Sequence, residues 1–325
     1  MSPCVFGKLA SLKPVAALLA TVLIALSTLP AQANCEIGGR EVACETRNGH
    51  YRIRKPDGPG PHPAVLYLYG STGNSAQKLA SDGFVRAFVD RGYAVIVPAG
   101  LDKRYVGGLV DSGWFLRNSR ARKKRDDTKS VAEVLADAEI RHRINRKRVL
   151  MAGMSNGGFL TWEIACHNPD LAAAYAPVAA GYLGKMPDRC RRGVRLLHTH
   201  GRADRIVPLD PEAAWRSGGV SMMPLGDALD RIATSGGCTS KGSAKRFKEY
   251  DRSKWQGCGA GTDVQVLVHN GGHTIPLSWY ATVIDWFEQG GSNRNLNPQG
   301  GGTARFLGTG SRDNSRFKKP KFASE

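Results

Sequence analysis

Val149-Leu150-Met151-Ala152-Gly153-Met154-Ser155-Asn156-Gly157-Gly158 is the stretch on which the reading of this chain turns. Val149 to Ala152 form an apolar run of buried-strand character, extending a strand expected over residues 148–152, and a helix is expected from about Asn156 to His167. Between them Ser155 sits in the pattern Gly-x-Ser-x-Gly, in which a strand turns abruptly into a helix and holds the hydroxyl beyond the sheet edge. That turn strains the serine backbone and crowds its neighbours, which is why glycine flanks it. Ser155 is therefore the candidate nucleophile.

A serine hydroxyl is a poor nucleophile at neutral pH, so it needs a base, and the base needs a carboxylate to orient it. When the nucleophile sits on such a turn, the acid and then the histidine follow in the chain, each after a strand end. Val264 to Val268 is a strand of that kind, followed by His269 and His273. Gly271-Gly272 permits a turn that presents His273, so His273 is preferred over His269 as base. Asp204 follows the strand Val194–Thr199 through Gly201-Arg202-Ala203 and is the preferred acid over Asp210 and Asp230, which fall in helical or lid-like stretches. The oxyanion of an acyl-transfer intermediate needs backbone donors. The amide of Asn156 is one candidate; the amide of Ser71, in the loop Gly70-Ser71-Thr72-Gly73-Asn74, is the other. His198 and His200 alternate on the strand before the acid, but no third ligand lies near them. They read as packing close to the site, and neither a metal nor a cofactor is expected.

Outward from this centre, short apolar runs alternate with helical periodicity. Strands are expected at residues 64–69 and 93–97, and helices at 79–91, from Asp126-Asp127 onward, and near 277–287. This alternation argues for an α/β domain with a mostly parallel sheet covered on both faces. The segment 35–55 reads as an edge hairpin, and Pro56–Pro63 as a loop.

The 325 residues and 41% hydrophobic content suit one large domain with extensions. Lys8 and Lys13, an apolar run from Val15 to Leu29 and Ala31-Gln32-Ala33 predict a cleavable signal peptide over 1–33, with no stable membrane span once it is removed. The catalytic domain is then expected over 34–290, followed by a basic, Gly-rich and disordered tail over 291–325. Six cysteines remain after the signal: Cys35, Cys44, Cys166, Cys190, Cys238 and Cys258. An even count in an exported chain suggests disulfides. Six cysteines allow many pairings; joining sequence neighbours would give 35–44, 166–190 and 238–258. The net charge of +18 includes a dense run, Arg117, Arg120, Arg122, Lys123, Lys124 and Arg125, read as a solvated loop. It lacks the aromatic interleaving of nucleic-acid modules, so no nucleic-acid partner is expected.

At these motifs the chain resembles the α/β-hydrolase esterases that include polyhydroxybutyrate depolymerases and feruloyl or acetylxylan esterases. The resemblance spans roughly residues 64–287. It rests on Leu68-Tyr69-Gly70, Asp126-Asp127, Gly153-Met154-Ser155-Asn156-Gly157-Gly158, His200-Gly201-Arg202-Ala203-Asp204 with Val207-Pro208, and Gly271-Gly272-His273-Thr274 with Pro276. The cysteines at 166, 190, 238 and 258 also sit where such esterases carry them. Two departures concern specificity: Tyr69 stands where the family usually has histidine, and Ile275 where it often has tryptophan. The resemblance implies a secreted or periplasmic serine carboxylic-ester hydrolase, polyhydroxybutyrate depolymerase-like, acting on a small-molecule or polymeric ester. A feruloyl or acetylxylan esterase, a serine peptidase on the same scaffold, and a non-catalytic binder of an anionic polymer are the alternatives. Tyr69, Trp114 and Trp279 are candidate substrate walls, with Trp255 beside them; Trp162, in the helix after Ser155, reads as core.

Overall fold

Sheet formation starts from runs whose side chains are buried along their whole length. A computed structural model describes residues 35–292, except 38–39, 42, 72, 105–109, 117–124, 210–215 and 218–219. The expected signal peptide, residues 117–124 of the basic run, Asp210 and all but the first two residues of the expected tail lie outside the described residues. One compact unit ends at Phe287; of the second, Glu288–Glu325, only 288–292 are described.

Among the described residues the main sheet has eleven strands. In chain order they are β1 (Cys44–Thr46), β2 (Gly49–Arg54), β3 (His62–Leu68), β4 (Ala94–Pro98), β5 (Ile144–Met154), β6 (Ala174–Val178), β7 (Arg195–Gly201), β8 (Ser240–Lys241), β9 (Lys245–Phe247), β10 (Tyr250–Gln256) and β11 (Asp263–His269). The spatial order is β8-β10-β11-β7-β6-β5-β3-β4-β2-β1, with β9 also on β10. From β11 to β4 the pairing is parallel throughout. Antiparallel strands complete both edges. Strands β4, β6 and β7 are buried from end to end, as a sheet covered on two faces requires.

The helices are α1 (Ser75–Leu79), α2 (Asp82–Val89), α3 (Asp127–His142), α4 (Asn156–His167), α5 (Leu225–Ser235) and α6 (Trp279–Ser292). Side chains an odd number of residues apart on a strand point to opposite faces. On β10, Trp255 donates its indole N–H to Asp230 of α5 at 2.8 Å, while Tyr250 meets Ser278, beside the start of α6, at 2.8 Å. Helices therefore cover both faces. None of the helices among the described residues is long and apolar enough to cross a membrane.

Several elements differ from the sequence expectation. The helix expected over 79–91 is α2, which starts only at Asp82 and ends at Val89, while Leu79 closes a separate helix, α1. The strand expected at 148–152 extends back to Ile144. Arg125 does not belong to a solvated run: its side chain is buried, paired with Asp127, and donates to Ala99 O at 3.1 Å.

Three disulfides join Cys35–Cys44, Cys166–Cys190 and Cys238–Cys258. The second ties the end of α4 to the segment before β7. The third ties the end of α5 to the turn before β11. With sequence separations of 24 and 20, each removes about 3 kcal/mol of loop-closure freedom from the unfolded chain.

Buried histidines make the fold acid-sensitive. Burial, reinforced by the charge of Lys55, pushes the His142 pKa down to about 4. Burial also lowers His198, His200 and His269. An unfolded chain protonates these rings near pH 6.5, where the native state does not. Native stability is therefore undiminished above about pH 6.5 and falls as the pH drops below it toward the folded-state pKa of His142, about 4. Urea unfolding at pH 7.5 and pH 4.5 measures this, and His142→Phe should flatten the dependence.

Candidate active site

Ser155 lies between β5 and α4 with φ 53° and ψ −119°, outside the region an L-residue prefers. Two bonds hold it there: its N–H donates to Val178 O at 3.0 Å, and its carbonyl accepts from Phe159 N at 2.9 Å as the first bond of α4. Gly157 permits the turn because a Cβ at that position would collide with the carbonyl oxygen of Leu68, the last residue of β3. Helix α4 can thus start directly against the end of β3. Backbone strain of this kind costs about 1–3 kcal/mol. Ser155→Gly should accordingly raise the unfolding free energy by about 1 kcal/mol, the strain relieved less the added freedom of the unfolded chain, while removing the hydroxyl. A thermal melt beside the parent protein measures this.

The acid and histidine loops are joined through their backbones. Arg202 N donates to His269 O at 2.7 Å, and Ala203 N to Gly271 O at 3.0 Å. Gly201 makes this approach feasible, since a Cβ there would meet the carbonyl oxygens of Gly271 and Gly272. At the end of these loops Asp204 Oδ2 lies 2.8 Å from His273 Nδ1. Its other oxygen accepts from Ile206 N and Val207 N at 2.9 Å each. The carboxylate is an acceptor in all three, so His273 donates from Nδ1. The Asp204 side chain is fully buried, whereas His273 is 18% exposed. His269 instead turns back on its own loop, its Nδ1 accepting from Gly271 N at 3.1 Å.

The loop after β3 lies against the serine: a Cβ on Gly70 would sit 3.4 Å from Ser155 Cβ and 4.0 Å from its Oγ. Gly73 N closes the turn onto Gly70 O at 3.1 Å, with Ser71 half-buried inside it. Asn156 opens α4, where amide N–H groups lack helical partners and the helix dipole favours negative charge.

Tyr69, Trp114 and Trp279 are buried, and their polar atoms are engaged within the scaffold. Trp114 donates its indole N–H to Tyr69 O at 2.9 Å, and its backbone N–H to the Asn156 side chain at 2.6 Å. The Tyr69 hydroxyl accepts from Gly100 N at 2.6 Å, and Trp279 donates to Thr199 Oγ1 at 3.0 Å. These rings, and the buried Trp255, offer a ligand almost no surface; Tyr69 and Trp114 brace the start of α4 and the loop facing the serine, whereas Trp279 ties to β7 and Trp255 to α5. Sequence reasoning missed Asp127 in this frame. Asp126 caps α3 by accepting from Lys129 N at 3.1 Å, but Asp127 is buried and accepts from Phe115 N, fixing the segment that carries Trp114. From the residues alone both acids read as a helix start, and the resemblance added only that the pair is a family motif.

Among the described residues, Cys35, Cys44 and His142 form one cluster with metal-ligand spacing. Its two sulfurs are bonded to each other, so it offers no thiolate.

A family model described as X-Pro dipeptidyl-peptidase (S15 family) matches residues 50–204, a span that contains Ser155 and Asp204 but stops before His273. A relative named "Putative esterase NocK", from Nocardia uniformis subsp. tsuyamanensis, is 25% identical over 75% of this chain and 75% of its own. The bifunctional acetylxylan esterase/xylanase XynS20E of Neocallimastix patriciarum is 23% identical over 45% of this chain and 20% of its own. Among solved structures, the acetyl xylan esterase from Aspergillus awamori superposes with a TM-score of 0.51 at 16% identity, covering 74% of this chain and 94% of that one. At that identity the likeness shows the fold: an α/β hydrolase. In sequence the chain resembles esterases of that fold.

Proposed function

We propose that this α/β-hydrolase chain, with its esterase-like sequence, is a serine carboxylic-ester hydrolase working through an acyl-enzyme. The observation that carries the proposal is the backbone of Ser155, held at positive φ between a buried strand and the start of a helix. Strain persists where the surroundings enforce it, and functional sites are where it gathers. In this reading Ser155 Oγ attacks the ester carbonyl while His273 Nε2 takes its proton. Asp204 fixes the His273 tautomer and stabilises the imidazolium that forms. The amides of Asn156 and Ser71 receive the developing oxyanion. His273 then protonates the leaving alcohol, and water, activated by the same ring, releases the acid.

For the substrate, the proposal is a hydroxyalkanoate oligomer or polymer. Ile206, two residues after Asp204, is 63% exposed, and Leu277, four residues after His273, is 88% exposed. Apolar side chains on both loops suit a hydrophobic ester chain better than a carbohydrate surface. The acetylxylan esterases among the relatives favour acetylated xylan as the second reading. Three disulfides support the proposal that the protein works outside the reducing cytoplasm after loss of residues 1–33.

The test is a substrate panel of hydroxybutyrate oligomers, methyl ferulate, acetylated xylan and an X-Pro peptide amide, with Ser155→Ala as control. Preferred turnover of the oligomers is expected. Preferred deacetylation of xylan would move the assignment to the second reading, and efficient amide cleavage without ester turnover would overturn the esterase reading.

A further inference from the structure

Two buried histidines next to the acid have no part in the proposed reaction, yet their hydrogen bonds run in one direction. The indole N–H of Trp162, on α4, lies 3.3 Å from His198 Nδ1. An indole nitrogen can only donate, so His198 Nδ1 accepts and the His198 proton sits on Nε2. That Nε2 lies 3.0 Å from His200 Nδ1. His200 Nδ1 must then accept in turn, which leaves the His200 proton on its own Nε2. There it meets the carbonyl oxygen of Val207 at 2.8 Å and Asp204 Oδ2 at 3.5 Å. Trp162, His198 and His200 are wholly buried.

We infer that Trp162, His198 and His200 form a tautomer relay that positions Asp204, with His200 as the positioning residue at its end. Each donor in the series fixes the next ring, and the last N–H closes the turn that offers the carboxylate to His273. With the opposite tautomer, His200 would aim a lone pair at a carbonyl oxygen and a carboxylate, and the turn would be pushed open. The relay begins on the helix that starts at Ser155 and ends on the turn that carries Asp204, so it ties the nucleophile's helix to the acid. His200 is faced by His198 on its own strand, by Asp204 on the next turn, and by His269 and His273 from β11 and its loop. Burial lowers the pKa of both relay rings, which keeps them neutral as the relay requires.

The inference rests on the proposed catalytic role of Asp204, and its test separates the two. In protein labelled with 15N-histidine, long-range proton–nitrogen spectra report the tautomer of each ring without reference to activity. His198 and His200 are expected to show protonated Nε2 and bare Nδ1, unchanged from pH 6 to 9. Trp162→Phe removes the first donor but keeps an aromatic ring, and should give mixed tautomers with kcat lowered several-fold at constant KM. His200→Leu should lower kcat on an ester by about 100-fold, the order of loss expected when a reacting group shifts by about an ångström. His200→Gln, whose amide can still donate to Val207 O, should recover most of it. Protonated Nδ1 or charged rings in the parent protein would overturn the relay. So would a folded His200→Leu with unaltered kcat, or a His200→Gln no better than the leucine variant. Turnover retained in Ser155→Ala would instead sink the catalytic reading and leave the spectra to decide the hydrogen-bond direction.

Discussion

Ser155→Ala is expected to abolish ester turnover, lowering kcat by about 10⁶-fold, because nothing else at the turn can form the acyl-enzyme. Alanine keeps the backbone strain, so the variant should melt close to the parent, and KM should stay similar wherever residual turnover can be measured. Initial rates on p-nitrophenyl butyrate check both numbers. A loss of under 100-fold would place the nucleophile elsewhere.

Asp204→Asn is expected to lower kcat by about 10⁴-fold with little change in the fold. Asp204 accepts three hydrogen bonds: one from His273 Nδ1 and two from the amides of Ile206 and Val207. An asparagine oxygen can keep the two amide bonds. Its NH2 then faces His273 Nδ1, which must become the acceptor, so the His273 proton moves to Nε2, where the serine proton is meant to go. Steady-state kinetics with a circular-dichroism check on folding tests this. A variant that folds and retains a tenth or more of the activity would mean that Asp204 does not orient the base.

What the sequence revealed and what it concealed follow from how local each feature is. The turn at Ser155 was legible because its requirements lie within ten residues: an apolar strand, glycines where the backbones crowd, and a helical run. The pairing of Asp204 with His273 was legible as chain order after strand ends, although the distance between them depends on the meeting of Gly201 with Gly271 and Gly272. Strand β6 went unread. Its residues, Ala174-Tyr175-Ala176-Pro177-Val178, include two alanines and a proline, and only parallel neighbours on both sides make them a strand. The edge strands β9 and β10 were hidden by Lys245, Arg246, Arg252 and Lys254, charges that suit an edge but mask strand periodicity. Tyr69, Trp114 and Trp279 illustrate the limit on the site. An aromatic near a nucleophile reads equally well as a ligand wall or as a brace, and only its burial and bonding partners decide. His198 and His200 were read from the sequence only as packing near the site, and the direction of their hydrogen bonds depends on Trp162, 36 residues before His198 in the chain.

The central claim is that Ser155 is an activated nucleophile, and covalent labelling tests it most directly. The folded protein, treated with a fluorophosphonate and digested, should yield one modified peptide, with the phosphonate on Ser155. Labelling should disappear in Ser155→Ala and weaken strongly in His273→Ala. A folded parent protein that fails to label, or an adduct on another serine that persists in Ser155→Ala, would contradict the account.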